Sequence, residues 1–330
     1  MGTPEFAVPS LARLILDGHE IAAVFTQPDK PAGRGKRLQP PPVKTLALAH
    51  AIPVHQPAKI KTGEEVRAVF ESISPDACIV AAYGKILPEW MLEIPRLGCI
   101  NAHASLLPKY RGAAPINWAI ANGERETGIT IMQMDAGLDT GPILSSRAVE
   151  ILPDETAPDL STRLASLGAE LLSETLPLIE QDRIQPVSQD DRQATYAPML
   201  EREDGVIDWQ VSAHQIARRV RAFQPWPGTY TRFRGSRLMI RRAIAIQAKD
   251  DEHVDEEHRG FIDGAQPSAI VAMDKSGITI ACAGPSLLRL EELQIEGKRR
   301  MSARDFANGM RLNVGDQIAD AEAVLKPGSF

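Results

Sequence analysis

Gly98-Cys99-Ile100-Asn101-Ala102-His103-Ala104-Ser105-Leu106-Leu107-Pro108 reads as an apolar strand that runs into an irregular loop. Side chains alternate across a strand, so Asn101 and His103, two residues apart, share one face. Loops at the carboxyl ends of buried strands are where open α/β sheets place their chemistry. Asn101 and His103 are therefore candidate site residues.

Working outward, Ile21 to Phe25 and Ala77 to Ala82 also read as fully buried strands, the kind found in parallel sheets with helices on both faces. Thr127 to Met134 alternates, and Ile143 to Ile151 reads as an antiparallel strand. Helices are expected over Pro4–Asp17, Val43–His50, Glu64–Glu71, Glu89–Glu93, Ala114–Asn122 and Asp159–Glu180, the first opened by a Thr3-Pro4 cap and closed by Gly18. This pattern predicts a Rossmann-like, doubly wound parallel sheet over residues 1–182. The loops Tyr83–Pro88, Ser105–Gly112 and Asp135–Pro142 then converge on one sheet edge. The Gly2-Thr3-Pro4 turn would ordinarily follow an apolar strand, and only Met1 precedes it. The sheet is thus expected to lack its first strand, as after a late start or a truncation, and to melt below a version extended by one.

Residues 183–203 are polar and irregular and read as a linker. After a helix at Ser212–Ala222 come short runs at 229–234, 238–246, 260–262, 268–273, 277–281 and 287–295. Strands at that spacing predict a small barrel or sandwich over 204–314, an OB-like barrel being one option, with 315–330 as a tail.

Composition fits this division, since 330 residues suit about two domains at ~150 residues each. No apolar run is long enough to cross a bilayer and no leader pattern is visible, so a cytoplasmic protein is expected. Cys78, Cys99 and Cys282 form no C-x-x-C pair and read as buried thiols. The net charge of −6 is unevenly spread. Residues 30–44 carry five basic side chains and no acid (Lys30, Arg34, Lys36, Arg37, Lys44), and residues 218–242 carry eight arginines, among them Arg218 and Arg221, and no acid. An acidic chain with two such islands can hold a polyanion locally.

The carboxamide of Asn101 can donate to a developing oxyanion, and the His103 imidazole can move protons near neutral pH. A carboxylate could orient and polarise that ring, with Asp139 the first candidate and Asp135 its competitor. The set suits attack of an amine on a carbonyl without a covalent enzyme intermediate. Gly2 lacks the rest of a G-x-G-x-x-G fingerprint, no G-x-x-x-x-G-K-[ST] occurs, Ser105 lacks a G-x-S-x-G elbow, and no metal-ligand cluster is visible.

These residues carry a resemblance. GTPEFA at 2–7, FTQPDKPAGRG at 25–35, AAYGKILP at 81–88, GCINAHASLLP at 98–108, RGAAPI at 111–116, TIMQMDAGLDTG at 130–141 and RAFQPWP at 221–227 resemble the folate-dependent formyltransferases that act on methionyl-tRNA. The resemblance implies transfer of formyl from 10-formyltetrahydrofolate to the α-amino group of methionine on initiator tRNA; a monomer is expected, and no metal. It implies that Asn101 and His103 hold the formyl oxygen while Asp139 pairs with His103 and assists proton removal. It places folate against Ser105, Leu106, Leu107 and Pro108, with Gly84, Lys85, Ile86 and Leu87 lining the pterin pocket. The basic loop would meet the tRNA acceptor end, Arg34 foremost, and the C-terminal barrel the acceptor arm. A formyltransferase acting on a nucleotide-linked amino sugar would share the fold and trio but not explain the acid-free loop. A non-enzymatic RNA-binding protein would explain the basic islands but not the trio.

Overall fold

The computed structural model describes residues 1–32, 37–60, 63–246, 264–284 and 286–320. The chain divides into two compact units, one of residues 1–116, 125–152 and 159–199, the other of residues 117–124, 153–158 and the chain from 200 onward.

In the first unit, helix α1 (Val8–Leu16) carries Pro9 in its first turn and buries Ser10, Leu11 and Leu14. Gly18, at φ +82°, ends the run in a conformation that costs glycine little. Strand β1 (Val24–Phe25) follows. The loop expected at 27–42 contains a hairpin instead, with β2 (Lys30–Ala32) antiparallel to β3 (Arg37–Gln39). Residues 33–36, and with them Arg34 and Lys36, lie outside the described residues. Then come α2 (Pro42–Ala49), β4 (Val54–His55), α3 (Glu64–Ile73), β5 (Cys78–Val80), α4 (Glu89–Glu93) and β6 (Cys99–His103). A short β7 (Arg111–Gly112) leads to α5 (Pro115–Asn122), which from residue 117 counts with the second unit, and then to β8 (Glu126–Gln133), β9 (Ile143–Glu150), the long α6 (Ala157–Glu180) and β10 (Tyr196–Ala197).

β1 pairs in parallel with β4, and β5 in parallel with β6. Between these pairs stand Met1 and Gly2. The Gly2 amide donates to Phe25 O at 3.1 Å, the Met1 amino group donates to Ile79 O at 2.6 Å, and Met1 O accepts from Ala81 N at 2.9 Å. Met1 and Gly2 thus sit in the position where the sequence reading expects a first strand to be missing, bonded to the chain on both sides. Alongside lies a cavity of about 490 Å³ whose lining includes Leu14, Val24, Phe25, Cys78 and Ile79.

Past β6 the sheet departs from an all-parallel plan. β8 runs antiparallel to β6, with Met132 opposite Asn101 and Thr130 opposite His103, and β9 runs antiparallel to β8. β8 is buried over six of its eight residues, with Ile129 and Ile131 fully enclosed. Its unbroken burial from Thr127 to Met132, where the sequence reads as alternating, follows from cover on both faces. All three cysteines are buried and free, as their spacing predicts.

The second unit opens with α7 (Ala213–Ala222), which begins in a capping box made by Ser212 and Gln215. β11 (Thr229–Phe233), β12 (Ser236–Ile246), β13 (Ile270–Asp274), β14 (Gly277–Cys282) and β15 (Ser286–Ile295) form an antiparallel path in the order β11-β12-β15-β14-β13, with β16 (Met301–Ser302) beside β15. Helix α8 (Ala303–Met310), capped by Ser302, follows. β11 and β13, at the two ends of the path, are bridged by the segment after α8. Ile270 N donates to Asp316 O (2.8 Å) and Ile318 N to Ser268 O (2.9 Å), while Asp320 N donates to Arg232 O (2.8 Å). Part of the predicted tail thus bonds to both end strands of this open sheet, whose apolar core includes Phe233, Leu238, Ile240, Ile278, Leu288, Leu290 and Phe306. The strand expected at 260–262 falls on residues outside the described set.

Candidate active site

Asn101 and His103 project from one face of β6, as alternation requires. His103 is buried, at 6% exposed. Its Nε2 stands 2.9 Å from the Tyr110 carbonyl, which only accepts, so Nε2 donates there. Nδ1 faces Asp139, 3.6 Å from Oδ2. That distance is an electrostatic contact rather than a hydrogen bond. Asn101 is half-buried, and its carboxamide has no hydrogen-bond partner among the described residues.

Asp139 reaches this face by a route the sequence does not disclose. Because β8 is antiparallel to β6, residue 134 emerges at the end of the sheet where β6 begins, and Met134 N donates to Cys99 O at 2.7 Å. The expected convergence on one strand edge therefore gives way to a loop that folds back over the sheet. Asp135 staples that fold, accepting from Gly137 N at 3.0 Å and from Thr140 Oγ1 at 2.6 Å. Its carboxylate is committed to the loop. Asp139 sits at φ +52°, and its Oδ2 accepts the Gly112 amide at 2.8 Å.

The Ser105–Pro108 loop is braced from β8. Thr130, fully buried, donates to Ser105 O at 2.7 Å and accepts from Leu107 N at 3.1 Å. Ser105 is itself buried and its hydroxyl donates to Lys109 O at 2.6 Å. Ser105 and Leu107 are thus interior parts of the loop, while Leu106 and Pro108 are half-exposed.

The neighbouring loop leaves β5 beside Asn101, since Val80 pairs with Asn101. Gln27 Nε2 holds it through Tyr83 O (3.2 Å) and Gly84 O (3.1 Å). Ile86 is exposed and Leu87 buried. Lys85 donates to the carbonyls of Pro57 and Ala58. Burial first, and the nearby Lys30 charge second, push its pKa down.

The basic residues separate into two kinds. Lys30 and Arg37 are exposed on the hairpin. Lys44 is bound to Asp29 and Gln56, both at 2.8 Å. In the second unit Arg218 is half-buried and Arg221 donates to Glu155 O at 2.8 Å, burial lowering the Arg221 pKa. Lys44 and Arg221 therefore spend their charge inside the protein.

Sequence reasoning passed over Tyr110, Gly112 and Thr130. The first two act through backbone atoms, which leave no residue-type signal, and Thr130 was readable only as a strand residue. Among the described residues no group of three or more His, Cys, Asp or Glu could hold a metal ion, and no helix is long and apolar enough to cross a membrane.

This two-unit arrangement has relatives. Residues 1–176 match the family model for formyl transferases, and residues 199–311 the model for the formyl transferase C-terminal domain. The chain is 50% identical over 319 residues to the methionyl-tRNA formyltransferase of Geobacter metallireducens, covering 96% of this chain and 97% of that one. It is 48% identical over 324 residues to that of Geobacter sulfurreducens, covering 98% and 97%. Among solved structures, an N-formyltransferase from Helicobacter canadensis in complex with folinic acid and dTDP-3-aminofucose shares the fold, with a TM-score of 0.61 at 17% identity over 88% of this chain and 96% of that one. The chain belongs to the formyl transferase family.

Proposed function

We propose that this chain transfers the formyl group of 10-formyltetrahydrofolate to the α-amino group of methionine on initiator methionyl-tRNA, in the cytoplasm and as a monomer. The observation that carries the reading is the placement of the Asn101 carboxamide and the His103 imidazole on one strand face, with the Asp139 carboxylate 3.6 Å from the ring. Near-full-length identity to relatives named for this reaction supports the choice of acceptor.

The residues present fit a formyl donor. Asn101 offers an unpartnered carboxamide, and the half-exposed Leu106 and Pro108, with the exposed Ile86, offer apolar surface for a ring system. Bound there, the donor would supply an electrophilic formyl carbon. Asn101 then donates to the formyl oxygen as negative charge collects on it, a contact stronger in the transition state than before it. His103 turns Nδ1, the nitrogen not held by Tyr110, toward the reacting groups. Asp139 polarises the ring and draws the proton from the attacking amine; as the donor's nitrogen–formyl bond breaks, a proton passes to that nitrogen and tetrahydrofolate leaves. Ser105 and Leu107, locked by Thr130, hold the donor-side loop in place.

Lys30 and Arg37, with Arg34 and Lys36, are assigned to the phosphates of the acceptor end, and Arg218 with the second unit to the acceptor arm. The amino-sugar reading shares the fold but leaves that exposed basic hairpin without a task. An assay supplying 10-formyltetrahydrofolate with either methionyl initiator tRNA or a nucleotide-linked amino sugar decides between the two. Formylation of the tRNA alone is expected; formylation of the sugar alone overturns the assignment.

A further inference from the structure

The segment between α6 and β10 is irregular, yet one side chain in it is used at both ends. The Gln189 carboxamide donates from Nε2 to Asp139 O at 2.9 Å and to Gly141 O at 2.7 Å. Its Oε1 accepts from Arg111 Nε at 3.1 Å and Nη2 at 2.8 Å. A guanidinium only donates, so the oxygen must face Arg111 and the NH₂ must face the two carbonyls. The orientation of this amide is set by chemistry.

Arg111 is 2% exposed, and its Nη2 also donates to Asp191 Oδ1 at 2.8 Å. The next residue, Gly112, donates its amide to the Asp139 carboxylate at 2.8 Å. A closed ring results, running from Gly112 to Asp139, on to Gln189, then to Arg111 and back along the chain. Asp139 is gripped twice, by its carboxylate from Gly112 and by its main chain from Gln189. The second grip matters because Asp139 sits at φ +52°, a region that side-chain-bearing residues populate sparsely and that its surroundings must hold. The segment is fixed in turn by β7 pairing with β10, Arg111 opposite Tyr196 and Gly112 opposite Ala197, and by Tyr110 N donating to Thr195 Oγ1 at 2.9 Å.

We infer that Gln189 is a positioning residue for formyl transfer, holding the Asp139 main chain in the left-handed conformation that aims its carboxylate at His103. The inference rests on the reaction proposed above. It gives the segment after α6 a role in the site.

Gln189→Glu isolates the effect, since it keeps an acceptor for Arg111 and replaces the donor to the two carbonyls with a second acceptor that repels them. Gln189→Asn keeps the chemistry but is one methylene too short to span both. With the full chain, 10-formyltetrahydrofolate and methionyl initiator tRNA, each variant assayed well below its melting midpoint, kcat for Gln189→Glu is expected to fall about 100-fold, the order of loss that a displaced reacting group produces. KM for tRNA should stay within about twofold, and Gln189→Asn should fall in between. Added to Asp139→Asn, Gln189→Glu should cost less than about threefold more, because both changes act through one carboxylate. Arg183→Ala, on the same segment and exposed, is the control and should leave kcat within about twofold. A Gln189→Glu protein with near-wild-type kcat, or one whose loss multiplies fully with that of Asp139→Asn, overturns the inference. An inactive wild type would instead overturn the proposed reaction, so the two failures are told apart.

Discussion

The Asp139 carboxylate stands 3.6 Å from His103 Nδ1, close enough to polarise the ring and too far to bond it. The gap is maintained because the same oxygen accepts the Gly112 amide at 2.8 Å while His103 is tied on its far side to Tyr110. Apo sites often hold such pairs loosely and tighten them when substrate arrives. Asp139→Asn should keep the Gly112 bond, since the amide oxygen still accepts, and lose the proton acceptor. Single-turnover formylation is expected to slow by about 10²- to 10⁴-fold with little change in melting temperature. A loss smaller than about tenfold would remove Asp139 from the chemistry.

The Asn101 side chain contributes a donor and little else, its carboxamide having no hydrogen-bond partner among the described residues. Asn101→Ala is expected to lower kcat by about 100- to 1,000-fold. Asn101→Asp, which retains size and loses the donor, should fall at least as far. Steady-state kinetics on the two variants checks this, and wild-type turnover in the aspartate variant would contradict it.

Thr130 satisfies two backbone groups of the 105–108 loop from a fully buried position. Thr130→Val leaves a carbonyl without its donor and an amide without its acceptor, at about 1–3 kcal/mol for each buried group left unpaired. Denaturant melts should show this loss, and KM for the formyl donor should rise, while Thr130→Ser restores both. An unaltered KM in a destabilised Thr130→Val protein would separate Thr130 from the donor site.

The basic residues should divide by their partners. Removing Lys30 or Arg37, both exposed, is expected to lower the slope of log affinity for tRNA against log salt by about 0.7–0.9 per lost phosphate contact. Lys44→Ala should leave the slope unchanged and loosen the Asp29–Gln56 cluster instead. Equal salt slopes for all three variants would refute the division.

Asp190 is held at a pKa of about 2 by the Arg192 side chain first, then by the Arg192 amide and Gln193. Its folded-state pKa lies below the ordinary value of 3.8, so ionised Asp190 stabilises the short turn beside Gln189 above about pH 4. That contribution disappears as pH falls from 4 toward 2. Protection against hydrogen exchange, corrected for the intrinsic pH dependence, should fall at residues 190–193 across this window in the wild type and much less in Asp190→Asn. An identical fall in both would refute it.

Much of the fold was legible because its signals are local. The strand at 99–103, the helices flanking it and the Ser212 capping box all follow from periodicity and end chemistry. Asn101 and His103 could be paired from alternation alone. What escaped depends on partners distant in sequence. Nothing near Thr127–Met134 states that it runs antiparallel to β6, so the folded-back path of Asp139 was hidden. The choice between Asp135 and Asp139 was equally hidden, because it turns on which carboxylate Gly137 and Thr140 take up. The Lys30–Gln39 hairpin was lost in a proline-rich stretch whose residues discourage a strand reading. The bonding of residues 313–320 to both end strands of the second sheet was hidden for a related reason: those strands are far from the segment in sequence, and it lacks a strand pattern of its own.

The central claim is that Asn101, His103 and Asp139 drive formyl transfer to the α-amine of methionine on initiator tRNA. The most direct measurement follows labelled formyl from 10-formyltetrahydrofolate into acid-precipitable methionyl initiator tRNA, comparing the wild-type chain with Asn101→Ala and Asp139→Asn at equal folded concentration. Rapid transfer by the wild type, with losses of about 100-fold or more in both variants, is the expected result. No transfer by the folded wild type, or variants that transfer as fast as it does, would contradict the account.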